Sequence, residues 1–222
     1  MPRRVRLKAV SGIYHVMLRG INRQQIFFDD EDYKAFIFTL QRFREISRFE
    51  LYAYCLMGNH VHILLKTTEE ALETTFKRIG TSFVYWYNTK YDREGHLFQD
   101  RFRSEPVEDE RYFLCVLRYI LRNPVAAGLC RKPEDYPYSN MDEIMQGIHL
   151  PCSVNGPELI HFIQMENGDQ CLDLTEKGRH KPADQMAVEW IRQEFGNTGQ
   201  ICVTKENRTL SCFNVILIIL QR

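Results

Sequence analysis

Residues 51–66 read LYAYCLMGNHVHILLK. Two runs rich in apolar residues and β-formers flank Gly58-Asn59, a pair that tolerates positive φ in a tight turn. The pattern predicts a β-hairpin of strands 51–57 and 60–66. Alternate residues of a strand point to opposite faces. Val61, Ile63 and Leu65 then enter a core, and His60 and His62 project together from the other face.

Outward from the hairpin, IYHVML (residues 13–18) predicts a first strand that Gly20 and Asn22 break. Asp29 or Asp30 can cap a helix running to about Ile46, with Tyr33, Phe36, Ile37 and Leu40 at helical spacing. Residues 72–90 predict a second helix, aromatic on one side through Phe76, Phe83 and Trp86 or Tyr87. A strand is expected around LFQDRF (residues 97–102), with Pro106 helping to end it. A third helix spans 109–122, with Asp109 as N-cap and Pro124 stopping it just after Asn123. The order β-α-β-β-α-β-α predicts an α+β fold: a ferredoxin-like split βαβ core, its antiparallel sheet carrying helices on one face. We assign residues 1–130 to this domain and 131–156 to an extension wrapping it. Residues 157–222 form a C-terminal, mainly helical appendage. Within it, 186–195 read as an amphipathic helix, and 209–220 as a strongly apolar helix or strand, buried or covered by a partner.

Composition narrows the function. Hydrophobic residues make up 44% of the 222, enough for a real core. The formal net charge is zero, which argues against a protein that coats DNA non-specifically through overall charge. The distribution is uneven, however: Arg3, Arg4, Arg6, Lys8, Arg19 and Arg23 precede the first acid, Asp29. Such a patch is either a solvated arm or a local contact for a polyanion. Seven cysteines without a CxxC pair argue against a zinc ribbon and for a reducing, cytoplasmic setting. No signal peptide is expected, and the longest apolar run, 215–220, is far too short to span a bilayer.

His60 and His62 are either half-exposed strand residues or two donors of a divalent metal site. Tyr119 and Asn123 lie four residues apart and share a helix face. The asparagine carbonyl is a hard oxygen ligand suited to Mg²⁺ or Mn²⁺. Tyr119, otherwise a tyrosine packed on the sheet, would then stand one turn from the metal. There its phenol can attack a phosphate in line and become a covalent phosphotyrosine. Tyr112, about two turns earlier on a similar face, is the rival nucleophile.

At this point four ordered stretches carry a resemblance: IYHVMLRGINRQQIFFDDEDY, YCLMGNHVHILL, HLFQDRFRSEPVED and LRYILRNPVAAGL. NHVHILL resembles the His-hydrophobic-His signature of HUH nucleases. The set is similar to the single-tyrosine, IS200-like transposases, and within them most like the group associated with repetitive extragenic palindromes (REP). It covers roughly residues 11–130 and fades beyond about 150. The resemblance implies that His60 and His62 bind the metal, Tyr119 is the nucleophile, and Asn123 stands where close relatives use a glutamine ligand. It implies cleavage of single-stranded DNA near a hairpin, attachment to the 5′ phosphate, a free 3′ hydroxyl, and rejoining by reversal without a nucleotide cofactor. A nucleoid-associated monomer or homodimer fits it.

Candidates for DNA contact are Arg19, Asn22 and Arg23 after the first strand, Arg101 and Arg103 in QDRFR, and Arg3, Arg4 and Arg6 in the arm. Phe102 alternates with two of these arginines and is expected in the core. Two other classes compete. A histidine-triad nucleotide hydrolase would need a third alternate histidine where Leu64 stands. A catalytically silent DNA-binding regulator would have no need of the intact His60, His62, Tyr119 and Asn123 set.

Overall fold

The computed structural model describes residues 6–148, 150–152 and 156–164. Arg3, Arg4 and the elements expected at 186–195 and 209–220 lie outside the described residues. Strands β1 (Ile13–Arg19), β2 (Glu50–Met57), β3 (His60–Lys66) and β4 (Arg103–Pro106) form one sheet in the order β2-β3-β1-β4. All three neighbouring pairs are antiparallel. Helices α1 (Asp30–Ser47), α2 (Leu72–Lys90) and α3 (Glu110–Ala126) follow β1, β3 and β4. This is the split βαβ plan, with α3 added.

The helix starts follow their capping chemistry. Asp29 accepts from the Asp32 amide at 3.1 Å, and the Asp32 carboxylate takes the Asp29 amide in return. Lys90, at the end of α2, reaches both carboxylates at 2.7 and 2.9 Å and so ties the two helices together. Asp109 caps α3 by accepting from the Tyr112 amide at 2.8 Å. Pro124 does not stop α3. A proline loses its own N–H bond and crowds the carbonyl four residues back, yet only two residues of α3 follow Pro124 before the helix ends at Ala126, with Gly128 at φ +70° beyond.

The helices do not all share one face. α1 and α2 cover a face built from Val16, Leu18, Tyr54, Leu56, Val61, Ile63 and Leu65, against Phe36, Leu40, Phe76, Ile79 and Phe83. α3 packs on the opposite face, setting Phe113, Val116, Leu117, Ile120 and Leu121 against Tyr52, Ala53, Cys55, Met57 and Leu64. The reason lies in β2, which is apolar at nearly every position and buried on both sides. A strand with only one covered face would alternate apolar and polar residues.

Two local expectations also shift. Strand β4 is RSEP rather than LFQDRF. Residues 97–99 instead follow the end of β1, through Ile21 N–H to the Leu97 carbonyl at 3.0 Å and Gln99 N–H to the Arg19 carbonyl at 2.8 Å. Phe102 enters the first core, as its alternation required. The 58–59 turn uses no positive φ. It is held from outside: Ile26 N–H donates to the Gly58 carbonyl at 2.7 Å and Gly20 N–H to the Asn59 carbonyl at 3.0 Å. Gly20 is required there because a Cβ would run into the Gln24 carbonyl.

Residues 136–140 close the outer edge of β2. Leu56 N–H donates to the Tyr138 carbonyl at 2.9 Å. The buried Asn140 side chain accepts from Tyr54 N–H at 2.8 Å and donates to the Tyr52 carbonyl at 3.1 Å. An open strand edge is thereby satisfied.

Candidate active site

The sheet register sets one row of side chains beneath and beside α3. Arg19 pairs with His60, Met17 with His62 and His15 with Leu64 across β1 and β3. Met17 also pairs with Arg103 and His15 with Glu105 across β1 and β4. Paired residues of antiparallel strands share a face. Thus His15, Arg19, His60, His62, Arg103 and Glu105 all lie on the face that α3 only partly covers.

From α3, the Tyr119 ring stands edge-on to His62 at 5.2 Å between centroids and to His15 at 6.0 Å. His60 and His62 are 5.0 Å apart with rings nearly perpendicular. Asn123, one turn beyond Tyr119, stands close enough to both His60 and Tyr119 for its amide to shift the proton affinity of each. The four residues singled out from the sequence therefore meet at one place. Tyr112 does not join them in the same way: its hydroxyl donates to Glu105 at 3.2 Å.

Burial dominates the electrostatics. It lowers His60, an effect that the nearby Asn123 amide opposes and Arg19 reinforces. Burial drives His62 well below its ordinary value, helped by His15 and His60. His15 falls to about 4 by burial alone. All three rings are neutral near pH 7, as metal-binding imidazoles must be. Burial raises the Tyr119 phenol, Asn123 lowers it in part and Glu105 raises it further. The nucleophile candidate is thus protonated at rest.

The donor set can be tested against a metal. Asn59 Nδ2 donates to the Arg23 carbonyl at 3.2 Å, which turns Asn59 Oδ1 toward His60 Nδ1 at 2.7 Å. An amide oxygen only accepts, so His60 carries its proton on Nδ1 and its Nε2 is unprotonated. Among the described residues no group of three His, Cys, Asp or Glu side chains forms a metal cluster. Two imidazoles and one amide oxygen remain, a sparse set that fits a hard divalent ion keeping several of its waters.

The DNA-contact candidates separate into two kinds. Arg19, Asn22, Arg23, Arg101 and Arg103 are exposed. Asn22 and Arg23 sit at φ 52° and 61°, a left-handed stretch just after β1. Arg6 is instead engaged inside the fold. It lies 3.7 Å over the Phe102 ring, donates to the Phe102 carbonyl at 2.9 Å and pairs with Glu73. Sequence reasoning missed His15, Asn59 and Glu105. Strand alternation marks His15 as facing away from Val16 and Leu18, but only the register brings it to His62.

A model of the IS200-like transposase family matches residues 8–123, more than half of the chain. The chain belongs to this family. The matched stretch begins just before β1 and ends on Asn123, so it contains the whole constellation. The chain is 31% identical over 104 residues to a Haemophilus influenzae protein assigned to the REP-associated tyrosine transposases. That likeness covers 41% of this chain and 58% of the relative's length. The fold is that of a REP-associated tyrosine transposase solved bound to a REP hairpin: TM-score 0.58, 18% identity, 66% of this chain and 86% of that one. A crystal structure of a protein assigned as a transposase from Deinococcus radiodurans is more distant: TM-score 0.39, 19% identity, 54% of this chain and 95% of that one. Among the described residues no helix is long and apolar enough to cross a membrane.

Proposed function

We propose that this chain cleaves and rejoins single-stranded DNA beside a hairpin, with Tyr119 as the nucleophile. The observation that carries this reading is the meeting of Tyr119, Asn123, His60 and His62 on one half-covered sheet face. The Tyr119 oxygen forms a bond to phosphorus and the bond from phosphorus to the 3′ oxygen breaks. The DNA remains on the enzyme through its 5′ phosphate, and the phenolic proton ends on the freed 3′ hydroxyl. Rejoining runs the same exchange backwards, so no energy-rich cofactor enters. Mg²⁺ or Mn²⁺ held by His60, His62 and Asn123 would supply the positive charge that polarises a phosphate oxygen. Asn123 orients the phenol, and the exposed Arg19 and Arg103 on the same face are placed to take the DNA backbone. The hairpin as target is supported by the REP hairpin bound to the protein of like fold.

A histidine-triad hydrolase is disfavoured because Leu64, at the third place of the pattern, is fully buried in the second core. The test is an SDS-resistant adduct between the purified protein and a single-stranded hairpin oligonucleotide. It should require Mg²⁺ or Mn²⁺, vanish in Tyr119→Phe and persist in Tyr112→Phe. An undiminished adduct in Tyr119→Phe would sink the nucleophile assignment. Hairpin binding without any cleavage would favour a silent regulator.

A further inference from the structure

His15 is a buried histidine within β1, paired across the sheet with the apolar Leu64. Its Nε2 lies 3.0 Å from His62 Nδ1, with the two rings stacked at 5.2 Å. Its other nitrogen, Nδ1, lies 4.0 Å from Glu105 Oε2, and Glu105 is itself held by the Tyr112 hydroxyl. From these contacts we infer that His15 is a positioning residue: backed by Glu105, it fixes the tautomer and ring orientation of His62.

A neutral imidazole has one proton for two nitrogens. The Glu105 carboxylate, 4.0 Å from Nδ1 and beyond direct hydrogen-bond reach, favours that proton on Nδ1 through charge and cannot serve as its donor. With the proton on Nδ1, His15 Nε2 is an acceptor. The 3.0 Å contact is then a hydrogen bond only if His62 donates from Nδ1. His62 Nε2 is left with a bare lone pair, the same state that Asn59 imposes on His60. Both rings of the HVH motif thus present Nε2 through separate hydrogen bonds, one from the hairpin turn and one from β1 and β4. Outer partners of this kind orient ligating histidines and raise their basicity.

This inference rests on the metal site proposed above, and two measurements separate the fates of the two ideas. The first needs no substitution. In metal-free wild-type protein, imidazole ¹⁵N NMR should find Nδ1 protonated and Nε2 bare on His62, with the same arrangement on His15. A proton on His62 Nε2 overturns the inference. The second is a Mn²⁺ titration followed by electron paramagnetic resonance. His15→Leu should weaken binding by roughly ten- to a hundredfold, the usual cost of losing such a partner. His15→Gln, whose amide oxygen accepts the same bond, should recover most of that loss, which a merely packing role would not predict. Mn²⁺ affinity unchanged in His15→Leu overturns the positioning role while leaving the metal site standing. Absence of Mn²⁺ binding in the wild type, or binding that His60→Ala leaves intact, overturns the metal site and the positioning role with it. Should His15→Leu fail to fold, the wild-type tautomer and the His15→Gln affinity decide the matter.

Discussion

On the face covered by α1 and α2, the strands turn Val16, Leu18, Leu56, Val61, Ile63 and Leu65 inward, and aromatic side chains of both helices fill the space above them. On the other face, the same strands present His15, Arg19, His60, His62, Arg103 and Glu105, and α3 packs mainly over β2 and β3, reaching β1 and β4 through Tyr119 and Tyr112. The first face gains stability from area removed from water. The second gives up part of that gain, since His15 and His62, both buried, are polar and hydrogen-bonded to each other. The single residue step between Val61 and His62 divides the two. A β-strand therefore lets one short motif anchor a core with one side and build a site with the other.

The largest contrast is expected from truncating an aromatic core side chain on one face and removing only the tyrosine hydroxyl on the other. Phe83, on α2, is fully buried and packs against Phe36 of α1. Phe83→Ala should lower the free energy of unfolding by about 3–5 kcal/mol. Tyr119→Phe keeps the ring against His62 and removes only a hydroxyl, so it should cost about 1 kcal/mol or less while abolishing the DNA adduct. Denaturant titration of both variants checks this. A loss in Tyr119→Phe equal to that in Phe83→Ala would make the tyrosine a packing residue and erase the distinction.

Acid separates the faces next. In the folded, EDTA-treated protein His15 titrates near 4, against an ordinary value of 6.5. Between those values the unfolded chain binds the extra proton and the folded chain does not. Stability must then fall as pH drops from about 6.5 to about 4, by on the order of 3 kcal/mol, and level off below as far as this group is concerned. His62, shifted the same way, adds to the slope. Carboxylates contribute their own acid losses, so the measurement is the difference between wild type and His15→Gln in urea melts over this range. Superimposable curves would show that the buried imidazole is not what acid attacks.

Much of this was legible in the sequence, and the exceptions share a cause. The hairpin, α1, α2 and the opposition of His60 and His62 to Val61 and Ile63 follow from local periodicity, which is why they could be placed to within a residue or two. Tyr119 and Asn123 were joined by helical spacing, and nothing longer-ranged was needed. The position of α3 is different, because which face a helix covers depends on the face left uncovered. The clue was present in LYAYCLM, a run too uniformly apolar for a strand with one wet side. His15 and Glu105 become partners of His62 only through the pairing of β1 with β3 and β4, and register is a property of three strands at once. Asn140 satisfies the edge of β2 from more than eighty residues away, a distance no local pattern reports.

The smallest effects concern the arginines, which composition grouped together and the fold divides. Arg19 and Arg103 are exposed on the histidine face, whereas Arg6 is stacked on Phe102 and bonded to its carbonyl. A guanidinium that contacts a phosphate of single-stranded DNA releases about 0.7 of a counterion, so its loss lowers the salt dependence of binding by that amount. Arg19→Gln and Arg103→Gln should each flatten the plot of log affinity against log salt by roughly 0.7 for a hairpin oligonucleotide, read by fluorescence anisotropy over a KCl series. Arg6→Gln should leave that slope unchanged and appear instead as a lower melting temperature, because it loses a cation–π contact and a hydrogen bond inside the fold. The reverse pattern, with Arg6 carrying the salt dependence and Arg19 and Arg103 silent, would move the DNA path off the half-covered face. It would also detach the binding surface from the site that Tyr119 and the histidines define.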